Sequence, residues 1–104
     1  MESARFFLID AVGAMFRCAE EGETPSLDVR MRQRLAAWNA SRSAARAVRL
    51  IYEQAGTSAL HATNPLERAF RDVHAAGQHM AVGLAVQEAA GRVVLGMDPG
   101  SPLI

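Results

Sequence analysis

Arg68, Asp72 and His79 are the side chains whose types and spacing could do chemistry together. On a single helix they fall within about 40° of one another, opposite an apolar stripe. Arg68 and Asp72 are four residues apart, where opposite charges meet on a helix surface. His79 follows two turns later. An imidazole beside a fixed charge pair can serve as an acid, a base or a hydrogen-bond donor. The plain alternative is an ordinary polar helix face. His74 and His79 are five apart and diverge by about 140° around a helix, whereas chelation from one helix wants a spacing of four. No metal site is expected. Cys18, the lone cysteine, lies in an apolar arc and reads as a small buried hydrophobe rather than a nucleophile. The chain has no P-loop, no GxGxxG and no GxSxG.

Three long helices and a short fourth are expected to position these groups. The first runs from Ser3 to Glu21, with Phe7, Leu8, Ala11, Val12, Met15, Phe16 and Cys18 in an apolar arc of about 200°. An arc that wide wants neighbours on more than one side, and Phe6 on the polar side hints at a further contact. Gly22 to Ser26 is punctuation; either Thr24 before Pro25 or Ser26 caps the next helix. The second helix runs to Ala55, with Leu27, Met31, Leu35, Trp38, Ser41, Ala45, Val48 and Tyr52 at three- and four-residue steps. It also carries Arg30, Arg32, Arg34, Arg42, Arg46 and Arg49, either as a solvated face or as a patch for an anionic ligand.

Gly56 suits the left-handed position that ends a helix. A loop from Thr57 to Thr63 follows. Asn64-Pro65-Leu66-Glu67 then reads as a helix start resembling a capping box. The third helix continues its stripe through Phe70, Val73, Gly77, Met80, Ala81 and Leu84, with Gly83 able to kink or end it. The fourth, Ala85 to Leu95, offers Val86, Ala89, Ala90, Val93 and Val94 for burial. Short connections make antiparallel neighbours the expectation.

Composition bounds the function. The 104 residues amount to a single domain, 1–104, and 50% are hydrophobic. Twenty alanines against fourteen Val, Ile and Thr lean the chain all-α. Eleven basic and eleven acidic residues cancel, which argues against broad electrostatic binding to nucleic acid or an anionic membrane. Every basic residue is Arg, so lysine Schiff-base chemistry is excluded. No apolar run reaches the ~18 residues of a membrane span. One cysteine allows no intrachain disulfide and fits a reducing cytoplasm.

Two stretches together carry a family likeness: Ala55-Gly56-Thr57-Ser58-Ala59-Leu60, and Asn64 through Gln78-His79. The run Ala89-Ala90-Gly91-Arg92-Val93-Val94-Leu95-Gly96 extends it. The sequence resembles the C-terminal helical domain of the acyl-CoA dehydrogenase superfamily. Within it, the chain looks most like the flavin-dependent monooxygenase branch, which includes p-hydroxyphenylacetate hydroxylase oxygenase and dibenzothiophene monooxygenase. The likeness is firm from about Ser43 to Pro99 and looser before that.

The resemblance implies an antiparallel helical bundle, with the N-terminal helical and middle β domains of the family absent from this chain. It implies a flavin cofactor, FMN or FAD, in the complete enzyme, with none held tightly by this chain alone. It implies His79 near the flavin, supporting either the oxygenated flavin or the substrate hydroxyl. Gly56, Thr57 and Ser58 would approach the flavin of a neighbouring subunit, where small residues permit close approach and hydroxyls donate to phosphate. Arg68 and Asp72 would orient. Family tetramers imply a homo-oligomer, and a flavin reductase is an implied partner. True acyl-CoA dehydrogenases continue with Tyr-Glu-Gly-Thr where this chain has His79, Met80, Ala81 and Val82, so a glutamate base from that stretch is missing. Beside the oxidoreductase reading stand a non-catalytic, self-associating helical module and an acyl-CoA dehydrogenase fragment.

Overall fold

Ser26 settles the open cap: its Oγ accepts from the Val29 amide at 3.3 Å, and the second helix starts at Leu27. The computed structural model describes every residue except Leu103. The order is α1 (Glu2–Glu20), α2 (Leu27–Ala55), a 3-10 turn (Gly56–Leu60), α3 (Pro65–Ala76), a second 3-10 turn (Met80–Val82) and α4 (Leu84–Val94). Among the described residues there is no strand. The all-α class and the four-helix order agree with the sequence reading.

The 29-residue α2 is the spine. At 1.5 Å per residue it is about 43 Å long, most of the 51 Å long axis of the molecule. α1, α3 and α4 each pack on α2, and none of those three packs on another. Burial is made mostly by alanine. Ala4 and Ala11 of α1 and Ala36 of α2 are buried, as are Ala89 and Ala90 of α4. Small residues let helix backbones approach closely but contribute little apolar area each. The main cluster joins α2 to α4 through Met31, Ala89, Ala90 and Ile104, with Leu35 and Val93 against it. Arg30 Nη1 donates to the Ile104 oxygen at 3.4 Å and pins the tail over this seam.

One expectation needs correction. α3 is not a rod to Val82. It ends at Ala76, where the Gly77 amide closes on Val73 O and the Gln78 and His79 amides tighten onto Ala75 O and Ala76 O. Beyond that point the chain leaves the helical register, so Met80 and Leu84 fall off the stripe and are exposed. Of the two readings open for the α2 arginines, the solvated face agrees with the exposure of Arg32 and Arg49, which have separate partners. Arg32 pairs with Asp10 of α1 at 3.1 Å, Arg49 with Glu53 at 2.8 Å, and Arg42 stands over the Trp38 ring at 5.8 Å.

Candidate functional site

His79 sits at the start of the second 3-10 turn, not on α3. Its Nδ1 accepts from the Ala81 amide at 3.2 Å, so the side chain caps the turn that its own residue begins. That bond occupies the Nδ1 lone pair. A neutral ring must then carry its proton on Nε2, which turns an N–H donor away from the cap. His79 is exposed, and so are Met80 and Leu84 beside it in sequence.

Arg68 and Asp72 meet as their spacing predicts, at 3.5 Å between Nε and Oδ2. Both are well exposed, and an exposed pair of this kind contributes only about 0.2–1 kcal/mol. Neither hydrogen-bonds His79, because the loss of helix after Ala76 takes the imidazole out of their line. The parallel pair Glu67–Arg71, at 2.9 Å, explains why the capping box is half made. Asn64 Oδ1 accepts from the Leu66 amide at 2.9 Å, but the Glu67 carboxylate turns to Arg71, and the Asn64 amide donates to His61 O instead.

The Gly56–Leu60 segment, expected as loop, is a 3-10 turn. Gly56 has φ +57 and would place a Cβ in open space, so its role here is conformational. Ser58 Oγ donates to Ala55 O at 2.6 Å, which commits the hydroxyl proton that a phosphate would need. Thr57 is exposed, and its hydroxyl makes no hydrogen bond among the described residues. Asn64 Nδ2 donates to Ser58 O at 3.0 Å and ties this turn to the start of α3. The turn and His79 therefore stand at opposite ends of α3 and do not touch.

Other groups are structural. His74 Nδ1 donates to Phe70 O at 2.7 Å, and its ring lies 4.4 Å from the Phe70 ring, which in turn lies 4.6 Å from Tyr52. This stack fastens α3 to α2. The i, i+4 spacing of Phe70 and His74 was the available signal for it. Cys18 is half-buried rather than buried. Among the described residues no group of three His, Cys, Asp or Glu side chains could hold a metal ion, and no helix is long and apolar enough to cross a membrane. Glu53 raises the Arg49 pKa above its ordinary value through their hydrogen bond and charge attraction. That stabilisation is fully present below the ordinary arginine pKa and is lost only as pH rises through the raised one, far above neutrality.

A family model described as the acyl-CoA dehydrogenase C-terminal domain matches residues 1–83. The chain is 33% identical over 105 residues to a pigment production hydroxylase from Rhodococcus erythropolis. That alignment covers 99% of this chain and 26% of the relative, so the chain spans about a quarter of the relative's length. No solved structure matches.

Proposed function

The chain belongs to the acyl-CoA dehydrogenase C-terminal domain family, and from that premise we propose that it is the C-terminal part of a flavin-dependent monooxygenase. Family members generally use FAD and are generally oligomers. The proposed enzyme takes reduced flavin, FMN or FAD, and O2, and hydroxylates an aromatic or similar small substrate. The name of the relative, a hydroxylase, supports this branch. So does the stretch His79-Met80-Ala81-Val82, which offers an imidazole and no glutamate base, against the acyl-CoA dehydrogenase alternative.

The observation that carries the proposal is the His79 cap. The Ala81 amide holds Nδ1, and the outward Nε2–H becomes a fixed donor at an exposed edge. A preoriented donor stabilises charge that develops on oxygen without reorganising during the reaction. Flavin would supply the oxygen chemistry when bound. The residues present fit it in part. Thr57 has a free hydroxyl, and Gly56 leaves open space above its backbone, but Ser58 would have to release Ala55 O before donating. Because the Gly56 turn and His79 do not touch, we assign them to different parts of an assembled site. The turn serves a neighbouring subunit's flavin, and His79 serves the reacting end. A flavin reductase would deliver the reduced cofactor.

In the enzyme that carries this domain, His79→Ala should lower hydroxylated product per O2 consumed and raise hydrogen peroxide. His79→Asn keeps both a cap acceptor and an N–H donor, and should retain more coupling. Equal coupling in wild type and His79→Ala would remove His79 from the site. The chain alone should show no saturable FMN or FAD binding by fluorescence titration. A second reading, a non-catalytic self-associating module, is favoured by the exposed apolar face of α1.

A further inference from the structure

A cavity of about 280 Å³ lies between α4 and the chain that follows it. Ala85, Glu88, Ala89 and Arg92 line it from α4, and residues 99–102 of the tail close the other side. The four α4 positions follow steps of three, one and three, so one helix face supplies them all. Two of the four are charged, and opposite in sign. Neither His79 nor the Gly56 turn lines this cavity.

Glu88 precedes Arg92 by four residues, the favourable order for an ion pair on a helix. Arg49–Glu53, Arg68–Asp72 and Glu67–Arg71 all close at that spacing. Glu88 and Arg92 stay open, and Glu88 has no ion pair or hydrogen bond among the described residues. The tail draws Arg92 away: its Nε donates to Asp98 O at 2.8 Å. The Asp98 carboxylate accepts from the Gly100 amide, also at 2.8 Å. That turn sets Gly100, at φ +65, against the guanidinium, where a Cβ would stand 3.4 Å from Nε and 3.6 Å from Cζ. The half-buried guanidinium is thus fixed by the backbone around it, with its Nη groups outside the bond to Asp98. One cavity presents a lone carboxylate and, a helical turn further on, an oriented cation.

We propose that this cavity binds a small zwitterion, an α-amino acid with a short apolar side chain. Its ammonium meets Glu88, its carboxylate meets the Nη edge of Arg92, and its side chain lies on Ala85, Ala89 and Pro102. An anion alone gains Arg92 but is opposed by Glu88, and a cation alone has the reverse problem. A zwitterion satisfies both, through charge-assisted hydrogen bonds that are stronger than neutral ones. Because the tail already orients the guanidinium, less freedom is lost when it binds. The volume is near the small end of ligand pockets, about 300 Å³, and suits a molecule of this size. The proposal rests on this cavity and not on the flavin reading.

L-leucine is the probe. Titrated into the isotope-labelled 104-residue chain, it should give saturable NMR shifts at the Glu88, Arg92 and Gly100 amides. Isocaproate, which is leucine without its ammonium, and isoamylamine, which is leucine without its carboxylate, should each bind roughly tenfold more weakly or worse. Glu88→Gln, at an exposed position, should weaken leucine by a similar factor with unchanged far-UV circular dichroism. It should also erase the preference for leucine over isocaproate, which a merely structural role for Glu88 would leave in place. Ala85→Leu, also at an exposed position, fills the cavity and should abolish binding. No saturation by leucine below about 10 mM, equal affinity for leucine and its two singly charged analogues, or unchanged leucine binding by the Glu88→Gln or Ala85→Leu chain would each overturn the proposal and leave the flavin reading standing.

Discussion

His79 shows how one hydrogen bond can change what a residue is for. On a continuous helix its ring would have sided with Arg68 and Asp72. As the cap of a turn it has its own orientation, set by the Ala81 amide. The sequence contained the residue but not this geometry, because periodicity assumes that a helix continues and Gly77 allows it to stop. The glycines predict opposite responses to the same change. Gly77 has φ −66, and a Cβ there would touch His74 O, Val73 O and Ser41 Oγ at 3.5–3.6 Å, ordinary contact distances. Gly77→Ala should therefore be neutral or stabilise by up to about 1 kcal/mol, as read by urea unfolding. Gly56→Ala has room but the wrong φ, and should destabilise by about 1 kcal/mol. Asn64 holds both the Leu66 amide and Ser58 O, so Asn64→Ala should cost about 1–2 kcal/mol and lower the thermal midpoint.

At the scale of elements, the starts and buried stripes of the helices were legible. Ser26 and Asn64 cap as their residue types suggest, and Met31, Val86, Ala89 and Ala90 are buried where spacing put them. What could not be read was how much of the α1 arc would be covered. A helical wheel gives the width of an apolar face, while the number of neighbours is a tertiary fact. α1 has one neighbour, so Phe6, Ile9, Val12 and Phe16 remain outside. The contact it does have is made by alanines and is correspondingly intolerant of bulk. Ala36, with no exposed surface, should not accept Leu: Ala36→Leu should lose about 1–3 kcal/mol by pushing neighbouring helices apart, seen as a lower urea midpoint.

The whole molecule is an elongated plate of 51 × 28 × 19 Å built outward from α2. Its broad exposed apolar surface should bind an environment-sensitive dye such as ANS at neutral pH, with native far-UV circular dichroism, and the signal should fall as the chain associates. α1 and α4 both meet α2 around residues 31–35 without contacting each other, α1 through Arg32 and α4 through Met31 and Leu35, while α3 meets α2 further along, at Tyr52. That arrangement has an energetic corollary. Damage on one flank has no direct route to the other, so the penalties of Ala11→Gly on α1 and Val86→Ala on α4 should simply add. The double-mutant cycle should close within about 0.5 kcal/mol. The two flanks are thermodynamic strangers joined by a common acquaintance, free to drift apart in sequence so long as α2 keeps a compatible surface for each.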